Sequence, residues 1–186
     1  MANTDINWLR ECRHWIFDLD GTLTLPVHDF NHIRCELGIP QAADILDWLA
    51  ALPEPERSER VRRLDELEHH YARQAQPAEG LHPLLESLAQ RRCRLGILTR
   101  NSRELALLSL AAIGVAHHFE PPFVLGRDEA RPKPDPGGLR HLLACWNASP
   151  AQALMVGDFR YDLEAGRGAG MQTVHVVPRQ APSGRN

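Results

Sequence analysis

Hydrophobic residues recur along this chain in two rhythms: short continuous runs, and stripes spaced three and four residues apart. The runs are Trp15-Ile16-Phe17, Leu95-Gly96-Ile97-Leu98, Phe123-Val124-Leu125 and Ala153-Leu154-Met155-Val156, and Thr173 to Val177 reads as a fifth strand. Runs this short and this apolar predict strands buried on both faces, as in a parallel sheet. The stripes predict helices. One carries Leu81, Leu84, Leu85 and Leu88; one starts at Asn101, which makes a capping-box-like pair with Glu104, and runs to Gly114. Two more cover Gly138 to Trp146 and Tyr161 to Ala169. Strands alternating with helices imply a parallel sheet with right-handed crossovers.

One stretch breaks the alternation. Phe30, Ile33 and Leu37 predict a short helix stopped by Gly38, and Ile45, Trp48, Leu49 and Leu52 a second, broken by Pro53 and Pro55. A charged third helix follows from Glu56 to Gln74, with Val61, Leu64, Leu67 and Tyr71 on one side, before Pro77 and Gly80. Roughly fifty helical residues are too few for an independent core. They read as a lid inserted after the turn that ends the first strand. A length of 186 residues accommodates one core and this insertion, and not two full domains.

Composition narrows the classes of partner. The net charge is -3 with both signs interspersed, so neither a nucleic-acid nor a membrane surface is expected. Met1 to Arg13 lacks the apolar stretch of a signal peptide, and no apolar run approaches the roughly 20 residues that span a bilayer. Cys12, Cys35, Cys93 and Cys145 are far apart, which favours a reduced, cytoplasmic protein. Of the 21 basic residues only Lys133 is a lysine. Either one lysine survived by chance, or its site needs a compact point charge where a planar guanidinium does not serve.

The chemistry collects where strands end. Asp18 and Asp20 follow the first strand, one residue apart, with Gly21-Thr22 behind them. They fit a solvated turn, or a site where a cation separates two carboxylates. Thr99 follows the second strand, Lys133 lies in the Pro- and Gly-rich loop after the third, and Asp158 and Asp162 follow the fourth. In a parallel sheet all of these face one crevice. His28 and His32 have the spacing of a metal pair without a third ligand, and read first as surface or cap residues, with a grip on substrate left open for His28. His69-His70 and His117-His118 read as solvated. Arg57, Arg60, Arg62 and Arg63 read as an exposed helix face with Glu partners, a phosphate- or carboxylate-reading role for one of them being the lesser alternative.

Asp-Leu-Asp-Gly-Thr at 18–22, Leu-Thr at 98–99, Lys-Pro-Asp-Pro at 133–136 and Gly-Asp-x-x-x-Asp at 157–162 occur in the order and spacing of the haloacid dehalogenase-like hydrolases. The chain resembles that superfamily, in its phosphoglycolate phosphatase-like branch with a helical cap. The resemblance implies an α/β fold: a Rossmann-like three-layer core, a five-stranded parallel sheet of order 5-4-1-2-3, and a small α-helical cap inserted after strand 1. Residues 1–25 and 78–186 would form the core and 26–77 the cap. It implies a Mg²⁺-dependent phosphatase acting on a small phosphorylated metabolite through an aspartyl-phosphate, as monomer or homodimer; a phosphomutase and a non-catalytic binding protein on the same fold are the alternatives. In this reading Asp18 is the nucleophile and Asp20 the general acid/base. Gly21, Thr22, Thr99, Arg100, Asn101 and Lys133 bind phosphate, Lys133 also neutralising Asp18. Asp18, Asp158 and the Asp20 carbonyl ligate Mg²⁺, and Asp162 supports the site by orienting a ligand or Lys133. Two departures bear on substrate: Arg100 stands where many relatives have Asn, and Leu23-Thr24-Leu25-Pro26 lacks the Asp-Ser pair common in that branch.

Overall fold

The structure, a computed structural model, describes residues 7–26 and 30–177. His28 and the tail after Pro178 lie outside the described residues. Five strands form one parallel sheet in the order β3-β2-β1-β4-β5, which is the expected 5-4-1-2-3 read from the other edge. They are β1 (His14–Phe17), β2 (Arg94–Leu98), β3 (Val124–Leu125), β4 (Ala153–Gly157) and β5 (Gln172–His175). Trp15 lies opposite Leu95 on one side and Leu154 on the other.

The alternation of side chains across the pleat gives the sheet two buried faces. Trp15, Phe17, Leu95, Ile97 and Val156 point to one face, covered by α4 (Leu81–Gln90) and α5 (Arg103–Ala112). Ile16, Leu98 and Met155 point to the other, covered by α6 (Gly137–Trp146) and α7 (Arg160–Gly168). This is the three-layer arrangement. Trp146 closes the second face, its ring stacked 5.7 Å from that of His14.

Between β1 and α4 lie α1 (Phe30–Leu37), α2 (Ile45–Ala50) and α3 (Glu56–Arg73), which pack on one another around Ile33, Leu37, Leu49, Leu64 and Leu67. Asp44 caps α2 by accepting from the Leu46 and Asp47 N–H groups at 3.0 and 3.2 Å. The chain leaves and rejoins the sheet layer at one place. Leu25 N–H donates to the Gln76 carbonyl at 2.8 Å and Ala78 N–H to that of Leu23 at 2.9 Å, with Thr24 bridged antiparallel to Pro77.

Several expected details shift. Ser102, not Asn101, caps α5, accepting from Leu105 N–H at 3.3 Å, because the Asn101 side chain is turned into the site. Val61 and Leu84 are exposed, since each lies at the margin of its apolar stripe. Phe123 belongs to a 3-10 turn, Pro121–Phe123, so β3 is shorter than its apolar run. β5 begins one residue earlier and ends at His175, where its pairing with β4 stops. The Arg face of α3 does carry Glu partners, at 2.6 Å for both Arg57–Glu54 and Arg62–Glu66 and 2.8 Å for Arg63–Glu36. Arg60 also donates to the Leu37 carbonyl, so it serves the end of α1 as well.

Candidate active site

All four strand-end motifs come together at the carboxyl edge of the sheet. Asp18 continues the ladder by one residue, its N–H donating to the Val156 carbonyl at 2.8 Å, and Thr99 does likewise to Leu125 at 3.0 Å. Beyond Asp18 the chain turns sharply: the N–H groups of Thr22, Leu23 and Thr24 all converge on the Leu19 carbonyl. Gly21 makes the turn possible with a φ of +82°. It also leaves room, because a Cβ there would stand 2.4 Å from Asp158 Oδ2.

Lys133 is the hinge of the site's electrostatics. It is 3 % exposed, with Nζ 2.5 Å from Asp18 Oδ1 and 2.7 Å from Asp162 Oδ1. The other Asp162 oxygen accepts from the Phe159 N–H at 2.9 Å, which fixes this carboxylate at the start of α7. Asp162 therefore holds Lys133, and a Cβ on Gly157 would collide with it at 2.2 Å. Burial pushes the Asp18 carboxyl up, to about 7, and the neighbouring Asp162 and Asp20 push the same way, while the Lys133 ammonium pulls it down. Burial alone would lower the Lys133 ammonium, but Asp18 and Asp162 more than offset it and its affinity for a proton is raised. Lys133 thus stays an ammonium and donates to Asp18 across this short contact. Asp158 is also raised, by its own burial and by Asp162.

The remaining groups sort by partner. The Thr22 hydroxyl sits between Asp18 Oδ2 and Asp158 Oδ1, at 3.3 and 3.4 Å. Asn101 Nδ2 donates to Asp20 Oδ2 at 2.7 Å. Thr99 is buried and its Oγ1 accepts from Asn101 N–H at 3.1 Å, so its own proton is available to an oxygen in the cavity. Arg100 reaches away from Asp18: its guanidinium donates to Asp44 Oδ1 at 2.7 Å and lies 5.2 Å from the centre of the Tyr161 ring. These pairs, together with the capping N–H bonds, hold the Asp44 carboxyl below its ordinary range although its partial burial alone would raise it.

Asp18, Asp20, Thr99, Lys133 and Asp158 line one cavity of about 520 Å³. Its roof is supplied by the α1–α3 segment, through Phe30, Arg34, Ile45 and Glu68. Sequence reasoning missed Glu68 and its partner Arg127. Arg127, in the loop after β3, donates to Glu68 at 2.8 Å and to Asp65 at 2.6 Å, joining α3 to the sheet layer. The signal was present, since Glu68 stands four residues after Leu64 and one after Leu67, on the inner stripe of α3. Pairing with Glu68 and Asp65 raises the Arg127 guanidinium against the opposing effect of burial.

Carboxylate oxygens of Asp18, Asp158 and Asp162 lie within 4.8 Å of one another, a spacing that could hold a metal ion. Asp162 is held on both oxygens by Phe159 N–H and Lys133, whereas Asp18 and Asp158 share the single Thr22 hydroxyl proton, so these two carboxylates are the better placed to turn to an ion. An all-oxygen donor set beside a turn rich in backbone carbonyls suits a hard cation such as Mg²⁺.

A model of the haloacid dehalogenase-like hydrolases matches residues 15–176. The chain belongs to this family. A haloacid dehalogenase-like hydrolase domain-containing protein of Arabidopsis thaliana is 30% identical over 188 residues, covering 93% of this chain and 74% of that protein. The pyrophosphatase PpaX of Anoxybacillus flavithermus is 28% identical over 182 residues, covering 87% and 82%. Among solved structures, a hydrolase from Pseudomonas syringae superposes with a TM-score of 0.73 at 22% identity, over 88% of this chain and 83% of that one. As a member of the haloacid dehalogenase-like hydrolases, the chain is an enzyme of the hydrolase class.

Proposed function

We propose that this hydrolase is a Mg²⁺-dependent phosphatase for a small phosphorylated metabolite. The observation that carries the reading is that Asp18, fixed by Lys133, and Asp20, tied to Asn101, share one cavity with Thr99 and Asp158. About 520 Å³ is the size of a small-molecule site. Residues 26–77 act as its cap, consistent with the cavity roof they supply.

An Asp18 carboxylate oxygen attacks phosphorus in line with the leaving oxygen, and the P–O bond to the leaving group breaks. Asp20 gives its proton to that leaving oxygen, then takes one from the water that attacks the aspartyl-phosphate. Asn101 holds Asp20 on the leaving-group side through both half-reactions. Lys133 and the Thr99 hydroxyl meet the charge that develops on the phosphoryl oxygens. Gly21 and Thr22 shape the loop that cradles the phosphoryl group. Asp18, Asp158 and the Asp20 carbonyl would hold Mg²⁺, which would supply positive charge to offset that of the phosphoryl group. The choice of substrate falls to the roof: Arg100 is engaged with Asp44, while Arg34 donates to the Ala43 and Phe30 carbonyls at 3.2 and 3.3 Å.

Phosphate release from a panel of sugar phosphates, short acid phosphates such as phosphoglycolate, and pyrophosphate tests this. Turnover of at least one class, lost with chelator and in Asp18→Asn, is expected. Conversion of a sugar phosphate to its isomer without phosphate release would make the enzyme a mutase. Full activity in excess chelator, or in Asp18→Asn, would overturn the mechanism.

A further inference from the structure

The pair His117-His118 is not simply solvated. Both lie in the 3-10 turn Ala116–His118 that follows α5, their rings 4.1 Å apart between centroids. His118 is turned inward, its side chain 8% exposed, with Nε2 3.8 Å from Glu86 Oε1 on α4. One ligand atom each from Glu86, His117 and His118 lies within 4.8 Å of the others. None of the three lines the active-site cavity.

We propose that Glu86, His117 and His118 form a second metal site, for Zn²⁺ or a similar imidazole-seeking divalent ion. Tetrahedral zinc with bonds of about 2.0–2.1 Å sets neighbouring ligand atoms roughly 3.3–3.4 Å apart. The Glu86–His118 separation is already within half an ångström of that. Two imidazoles and a carboxylate are also the donor set that prefers zinc over Mg²⁺, in contrast to the all-oxygen cluster at the strand ends. Three protein ligands leave a fourth position for water, or for His82, which sits one helical turn before Glu86 on α4.

The backbone under this site is anchored. Leu85 precedes Glu86 and is fully buried, while Val115 and Phe119 flank the turn and are 0% and 4% exposed. The Phe119 and His118 N–H groups close the turn on Ala116 and Val115 at 3.1 and 3.0 Å. Ligands on such a frame need only rotamer changes to close on an ion. The ion would staple α4 to the chain between α5 and β3, two elements adjacent to the same sheet face.

Equilibrium dialysis of the full chain against Zn²⁺, in excess Mg²⁺ to fill the carboxylate site, is the test. One Zn²⁺ per chain is expected, with X-ray absorption showing two imidazole ligands. The double variant His117→Gln/His118→Gln and the single variant Glu86→Gln should each weaken binding by about tenfold or more, the scale on which even indirect ligand contacts matter. Asp158→Asn should leave it intact. Glu86 is well exposed, so its variant tests the site even if the histidine variant folds poorly. Wild-type affinity in Glu86→Gln, no imidazole signal, or loss of the ion in Asp158→Asn would overturn the proposal.

Discussion

Lys133→Arg keeps the charge and changes only its shape, which makes it the sharpest probe of the active site. The ammonium occupies a pocket 3 % exposed, with oxygens at 2.5 and 2.7 Å on two sides. There is no slack in those contacts. A guanidinium places its terminal nitrogens about 1.3 Å beyond the carbon that would occupy the Nζ position, a partial-double C–N bond length. Asp162 is pinned by Phe159 N–H, so Asp18 is the group that must retreat, by roughly 1 Å. Misplacement on that scale costs on the order of a hundredfold in rate, or about 2.7 kcal/mol of barrier. Overpacking a buried site also costs about 1–3 kcal/mol of stability. At about 2–4 °C per kcal/mol for a chain of this size, Tm should fall by roughly 2–12 °C. The assay is kcat/KM for phosphate release at saturating Mg²⁺, well below the variant's Tm, beside a thermal melt of both proteins. Lys133→Met, which leaves Asp18 and Asp162 facing each other without a cation, should be less stable still, by about 3–5 kcal/mol. Near wild-type turnover by Lys133→Arg would show that the lone lysine is an accident of composition and that the pocket is not shape-selective.

Gly21→Ala should nearly abolish activity and weaken Mg²⁺ binding, since its Cβ falls 2.4 Å from Asp158 Oδ2 and its φ is +82°; unchanged Mg²⁺ titration would refute this. Asn101→Ala removes the amide donor from Asp20 Oδ2 and should lower kcat for alkyl phosphates far more than for p-nitrophenyl phosphate, whose leaving oxygen needs no proton. Equal losses on both substrates would deny Asn101 its role in positioning the acid. Arg127→Met removes the guanidinium that reaches buried Glu68 and should destabilise by up to about 3–5 kcal/mol in a denaturant titration, with Glu68→Gln added to it restoring part of the loss. Additive effects of the two changes would mean that the pair carries no coupling. The Arg100–Asp44 pair should persist at neutral pH. Its carboxyl is held below the unfolded value near 3.9, so the pair's contribution is present above that pH and fades as pH falls through the lower folded value. A loss of Arg100-dependent stability between pH 7 and 5 would contradict it.

The parallel sheet was legible because most of its strands are short apolar runs alternating with helical stripes, whereas the strand order came from the motifs shared with the haloacid dehalogenase-like hydrolases. The polar site was legible for a related reason: Asp18, Thr99, Lys133 and Asp158 each directly follow or trail a strand, and parallel strands send them to one edge. What stayed hidden was tertiary. Asn101 has the composition of a helix cap, and only the nearness of Asp20 shows that its amide is used elsewhere, with Ser102 taking the cap. Glu68 looked like one more charge on a charged helix until Arg127, 59 residues away, came to meet it. His118 looked solvated because nothing near it in sequence announces Glu86.

The narrow stem formed by Leu23–Leu25 and Gln76–Ala78 has a consequence for the lineage as much as for the molecule. To the sheet, everything between those residues is a hairpin loop, since both ends are tied together by backbone hydrogen bonds before the helices begin. Loop-closure entropy grows only with the logarithm of length, about 0.6 kcal/mol for each doubling. Changing the length of chain beyond the stem therefore costs the sheet layer little in loop closure, and what resists is the side-chain ties such as Arg127–Glu68 and Arg100–Asp44. A different roof over the same catalytic edge would have to remake those ion pairs, while the stem beneath it could stay as it is.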